Sequence, residues 1–196
     1  MEKGRLFTIG HSNHEIDRFI DLLKSNKIEI VADVRSSPYP SYSTHFSKEK
    51  LHMTLRQNGI DYQFMGEGLG GRPKGDKYYD NEGHVLYSVL AESDKFKEQL
   101  EKIKGLSSYK NLAIMCSEED PEVCHRHLLI GRVLNKQDFE INYIRKDNSV
   151  QLYGDLKSGE KRGKQTTLFG NEDGVDEWKS IRSVLPKKQQ KNFSSD

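Results

Sequence analysis

Strands alternating with helices predict an open, mostly parallel α/β sheet in three layers, Rossmann-like, followed by a flexible C-terminal tail. Three observations carry that prediction. Leu6–Ile9, Ile28–Val34 and Leu112–Met115 are short, almost unbroken apolar runs, the pattern of parallel strands covered on both faces. Between such runs lie stretches with apolar residues at helical spacing, such as Ile16, Phe19, Ile20 and Leu23. From Asp155 the chain becomes rich in Gly, Lys, Ser and acids, with too little apolar material to order itself. The expected division is therefore an α/β domain over 1–154 and a tail over 155–196.

In chain order, the first strand, Leu6–Ile9, ends in Gly10-His11-Ser12-Asn13. A helix follows from His14 to Leu23. The second strand ends in Asp33-Val34-Arg35-Ser36-Ser37-Pro38, and Tyr39–Phe46 reads as an aromatic, polar loop. Ser47 is placed to cap a helix to about Asn58, with Gly59 as its stop. Ile60–Phe64 reads as a third strand. Met65–Gly83, with six glycines and Arg72-Pro73-Lys74, reads as one long loop, a length that in compact domains marks function or disorder. A helix is expected over Tyr87–Ile103, with Leu90, Phe96, Leu100 and Ile103 inward. Leu112–Met115 then leads through Cys116-Ser117-Glu118-Glu119-Asp120 into a helix opened by Pro121, where a missing N–H costs nothing. Phe139–Ile144 is the last expected strand.

A chain of 196 residues is long enough for one real core. The net charge of +1 makes no global case for nucleic-acid binding, although a local basic face is compatible with it. No long apolar run or secretory pattern is present, so a cytoplasmic protein without a membrane partner is expected. The two cysteines then read as thiols rather than a disulfide.

In open parallel sheets ligands sit beyond the carboxyl ends of the strands. Three polar motifs fall there: Gly10-His11-Ser12, Asp33-Val34-Arg35-Ser36, and Cys116-Ser117-Glu118 with Cys124-His125-Arg126. Asp33, Glu118, His11 and Cys116 are the candidate catalytic groups. The acids suit proton transfer or water positioning, and Cys116, at a strand end before a helix, suits a thiolate nucleophile with a histidine beside it. Arg35, Arg72 and Arg126 offer planar forks for phosphate or carboxylate, and Ser12, Cys124, His125 and Tyr42 complete the substrate-binding set. An internal ion-pair network, Asp33 or Glu118 against Arg126, accounts for the same residues equally well. The spacing of Cys116 and Cys124-His125 is not that of a standard zinc knuckle and no second ligand pair is visible, so no metal is expected. The residues name no cofactor and none is expected.

TIGHSN, VADVRSSP, the LGGRP loop and CSEEDPEVCHRHLLIGRVL together resemble the domain of unknown function 488 family, as does QTTLFG…EWKSIRSV near the C-terminus. The resemblance implies an α/β fold and a site built from these motifs, but no reaction.

Tyr39, Tyr42, His45, Phe46, Tyr62, Tyr78 and Tyr79 are interleaved with Arg35, Lys48, Arg72, Lys74 and Lys77. Such a set suits DNA or a nucleotide, since stacking contributes about 1–3 kcal/mol per base. In the tail, Gln165, Leu168 and Phe169 form Q-x-x-L-F, which resembles the peptide by which bacterial replication and repair proteins bind the sliding clamp. The expectation is a DNA-maintenance enzyme recruited to that clamp, a hydrolase acting on an N-glycosidic or phosphate-containing substrate. The alternatives are a non-catalytic nucleotide-binding or nucleic-acid-binding adaptor and a thiol-dependent enzyme.

Overall fold

The structure is a computed structural model, and residues 5–156 and 178–184 are described. Six strands form one sheet in the order β3-β2-β4-β1-β5-β6: β1 (Leu6–Gly10), β2 (Ile30–Asp33), β3 (Asp61–Phe64), β4 (Leu112–Cys116), β5 (Ile141–Ile144) and β6 (Val150–Leu152). The first five are parallel, as the apolar runs predict. β6 pairs antiparallel with β5 at the edge. Val150 and Leu152 of β6 are exposed, so this strand lacks the buried apolar run by which β1, β2 and β4 are read.

Side-chain alternation splits the core between the two faces of the sheet. Phe7, Ile9, Val31, Ala113 and Met115 pack with Phe19, Leu22 and Leu23 of α1 (Ile16–Ser25) and with Leu51 and Leu55 of α2 (Lys48–Gln57). Leu6, Ile30, Ala32, Ile114, Cys116 and Tyr143 pack on the other face, against Leu90, Phe96, Leu100 and Leu129.

The long glycine loop contains a turn of helix, α3 (Gly66–Leu69), packed beside the next helices. The expected Tyr87–Ile103 helix is two helices, α4 (Tyr87–Ala91) and α5 (Asp94–Ser107). The break is set by Ser93, whose side chain accepts the Phe96 N–H at 3.4 Å and so caps α5. After β4, Asp120 caps a short 3-10 turn, Pro121–Val123, by accepting from Glu122 N. A π-helix then runs over Arg126–Gly131 and passes into α6 (Arg132–Asn135), a wide-turned form common at functional sites.

Residues 178–184, assigned to the tail by composition, lie against the domain. The Trp178 indole donates to Leu128 O at 2.8 Å, and Ser180 N donates to Val85 O at 2.9 Å. Gln165, Leu168 and Phe169 lie outside the described residues. No helix among the described residues is long and apolar enough to cross a membrane.

Candidate functional site

The central strands β2, β4 and β1 are neighbours, so the three polar motifs emerge side by side at the carboxyl edge. Gly10 is in register with Cys116, and His11 N donates to Cys116 O at 2.9 Å. A Cβ at Gly10 would fall on the Glu118 carbonyl and within 2.8 Å of the Glu119 Cα, so only glycine lets the acidic turn cross here. Ser12 adopts a φ of 45° and donates its N–H to Ser117 O at 2.8 Å, fastening the two turns together.

The strand period then divides these motifs into two constellations. Asp33 shares the α1–α2 face with Val31, whereas Cys116 shares the opposite face with Ile114.

On the first face Asp33 is fully buried. Arg35 grips it with both arms, Nε to Oδ1 at 2.9 Å and one terminal nitrogen to Oδ2 at 2.6 Å. The Tyr62 hydroxyl donates to Oδ2 at 2.8 Å. The other terminal nitrogen of Arg35 donates to His11 Nε2 at 3.1 Å, while His11 Nδ1–H donates to Ser12 O at 2.9 Å. His11 stacks on Phe46 at 4.3 Å. Burial first, and then the Arg35 charge, lower its pKa to about 4, so the ring is neutral at pH 7.

On the second face the Glu118 carboxylate accepts from Cys116 Sγ at 3.0 Å and from Cys124 Sγ at 3.2 Å. His125 Nδ1 lies 3.8 Å from the first sulfur and 3.9 Å from the second. Its Nε2–H donates to Val34 O at 3.2 Å, which turns Nδ1 toward the sulfurs. Burial alone would raise the Cys124 thiol, but the Cys116 hydrogen bond, the Arg126 charge and His125 bring it well below the usual range. The Arg126 N–H, 3.5 Å from Cys124 Sγ, favours the same thiolate. Cys116 is pushed well above the usual range, first by its hydrogen bond to Cys124 and then by burial.

This second constellation opens into a cavity of about 380 Å³ bordered by Glu118, Cys124, His125, Tyr87, Arg72 and Arg182. Gly71 lets the glycine loop approach it: a Cβ there would stand 2.8 Å from His125 Nδ1. A second cavity, about 410 Å³, shares Ser36 and Arg72 with the first. Lys48, Lys74 and Lys95 also line it, against a single acid, Glu67, with Tyr39, Phe64 and Tyr78 as its aromatic walls.

The chain belongs to the family described as domain of unknown function DUF488. The family match covers residues 15–133. No curated protein and no solved structure matches the chain. The DUF488 segment contains Asp33, Arg35, Arg72 and the whole Cys116–His125 turn. It begins after Gly10-His11-Ser12 and ends before the 178–184 wall.

Several expectations about the DUF488 site change. Asp33 and His11 do not border either cavity. Arg126, 1% exposed, is occupied in holding the turn: its Nε donates to Thr8 Oγ1 at 3.0 Å and its terminal nitrogens donate to the Glu118 and Glu119 carbonyls. It offers no free fork to an anion. Arg35 borders the first cavity, but its guanidinium is committed to Asp33 and His11. The anticipated ion-pair network exists with Arg35, not Arg126, as the partner of Asp33. Tyr42 is fully exposed and lines neither cavity. Ser12 lines neither as well.

The expectation of no metal rested on linear spacing; in space, donor atoms of Cys116, Cys124 and His125 lie within 4.8 Å of one another. Tyr87 and the 178–184 segment were not anticipated at the site. Tyr87 reads as an ordinary inward helix residue, and no local signal separates it from one.

Proposed function

We propose that the chain is a DNA-maintenance enzyme acting on a nucleotide or nucleic-acid base, with Glu118, Cys124 and His125 at the reacting end. One observation carries this reading: the cavity holding these groups shares Ser36 and Arg72 with a basic, aromatic-walled cavity. A nucleotide unit has the matching division, a reactive bond between a planar base and an anionic backbone. Glu118 is the acid available to position water or move a proton, because it borders the cavity and Asp33 does not. An N-glycosidic bond remains the preferred target. Recruitment through Gln165, Leu168 and Phe169 rests on the sequence pattern alone.

The test is a screen of modified oligonucleotides and nucleotides for base or phosphate release, run beside Glu118→Gln and Arg72→Ala. Turnover that falls about 10²–10⁴-fold in the first variant supports the reading. Binding without turnover on any substrate replaces it with an adaptor. A labelled peptide of residues 160–184 should bind the bacterial sliding clamp and lose binding with Leu168→Ala plus Phe169→Ala; absence of binding removes the clamp.

A second reading, thiol catalysis, is favoured by the imidazole 3.9 Å from Cys124 Sγ. It requires that iodoacetamide abolish turnover and that substrate protect against it.

A further inference from the structure

We propose that Cys116, Cys124 and His125 bind a zinc ion, with Glu118 beside the fourth coordination position. The proposal deepens the enzymatic reading, on whose site it rests, by naming the ion that occupies the reacting end.

The geometry comes first. A tetrahedral zinc with S and N ligands at about 2.3 and 2.0–2.1 Å separates sulfur from nitrogen by about 3.6 Å. His125 Nδ1 is 3.8 and 3.9 Å from the two sulfurs, so each sulfur–nitrogen separation is within a few tenths of an ångström of that value. All three donor atoms lie within 4.8 Å of one another.

The orientation of His125 is an independent observation. Metal-bound histidines characteristically donate their second ring N–H to a carbonyl or carboxylate, which fixes the tautomer and the ring plane. His125 Nε2 makes that bond to Val34 O, and Val34 directly follows β2, whereas Cys116 ends β4 and Cys124 follows the 3-10 turn. The bond turns Nδ1 toward both sulfurs.

The charges agree. Cys124 and Cys116 are 2% and 4% exposed, and a carboxylate oxygen lies within 3.2 Å of each sulfur. The nearby Arg126 guanidinium is engaged with Thr8 and two backbone carbonyls. A cation among the sulfurs neutralises this group, and the remaining thiol protons leave to solvent as it binds. Paired thiolate and imidazole donors select zinc over magnesium or calcium, which take oxygen ligands. Glu118 and the cavity lie on the open side, so the fourth position faces substrate, as in catalytic rather than structural zinc sites.

The test uses the full chain. Protein purified without chelator should carry roughly one zinc per chain. After zinc removal, cobalt(II) should give a thiolate-to-cobalt charge-transfer band and the intense visible bands of a tetrahedral ion. Cys116→Ser and Cys124→Ser should each halve the charge-transfer band and weaken zinc at least about tenfold, the lower end of the effect seen even for outer-shell changes. The wild-type cobalt spectrum needs no variant, so a misfolded variant does not remove the test. A weak octahedral cobalt spectrum overturns the proposal. So does zinc-free protein with two free thiols, or with a Cys116–Cys124 disulfide. Zinc bound without turnover on any oligonucleotide keeps the site and discards the enzyme; turnover that persists after zinc removal keeps both and removes the ion from the reaction.

Discussion

At the scale of single residues, the buried pair Asp33–Arg35 is a holding device. Removing one partner of a buried ion pair leaves an uncompensated charge and costs about 3–5 kcal/mol. Asp33→Asn should lower stability by that order in urea unfolding, whereas Tyr62→Phe, which removes one of several bonds to the carboxylate, should cost about 1 kcal/mol. Equal losses would mean that the carboxylate is held chiefly by the tyrosine. The histidines give a pH dependence. Burial holds His11 and His127 as neutral rings, each with a pKa lowered from 6.5 to about 4. Unfolded chains take up protons below pH 6.5 that the folded chain refuses until about pH 4. Stability is therefore full above that window and falls as pH drops through it, by on the order of 2–3 kcal/mol per ring. Urea midpoints at pH 7.5 and 4.5 should differ less in His11→Asn/His127→Asn than in the parent chain. The residue types at the site were legible in the sequence: Cys116, Glu118, Cys124 and His125 all stand in one dense stretch. Their division from Asp33 and His11 depends on the parity of β2 against β4, which no single motif reveals.

At the scale of elements, the apolar runs gave away β1, β2 and β4 because these central parallel strands are buried on both faces. β6 escaped because an edge strand with one exposed face carries no such run. The break between α4 and α5 had a readable cause in Ser93, yet the apolar spacing continues across it. Ser93→Ala should cost about 1 kcal/mol, measured by thermal or urea unfolding. The glycine loop matters for shape more than for core. Gly71→Ala would press a methyl onto the His125 ring, and the nearest atom is the one directed at the sulfurs. Cobalt or zinc affinity should fall about 10–100-fold, the range for disturbed ligand orientation, while the circular dichroism of the fold is unchanged. Unaltered affinity would show that the loop stands farther from the imidazole in solution.

At the scale of the whole molecule, the first cavity is closed by a segment distant in sequence from everything else around it. Nothing in the composition near Trp178 separates it from the polar stretches on either side. Its indole finds Leu128 O, and the Arg132 guanidinium lies 4.8 Å above its ring. Trp178→Ala should cost about 2 kcal/mol, less than a fully buried Trp because the side chain is half-buried, and lower Tm by roughly 4–8 °C. The same change should weaken substrate binding more than it slows turnover, because it loosens a wall and leaves Glu118 in place. The position of this anchor also sets a leash. Phe169 precedes Trp178 by nine residues, and an extended chain spans at most about 3.3–3.6 Å per residue, or roughly 30 Å here. A clamp that grips Leu168 and Phe169 would then keep Trp178 within about 30 Å of its own surface. The working radius would be about nine base-pair steps of the duplex threaded through the ring, at roughly 3.4 Å each.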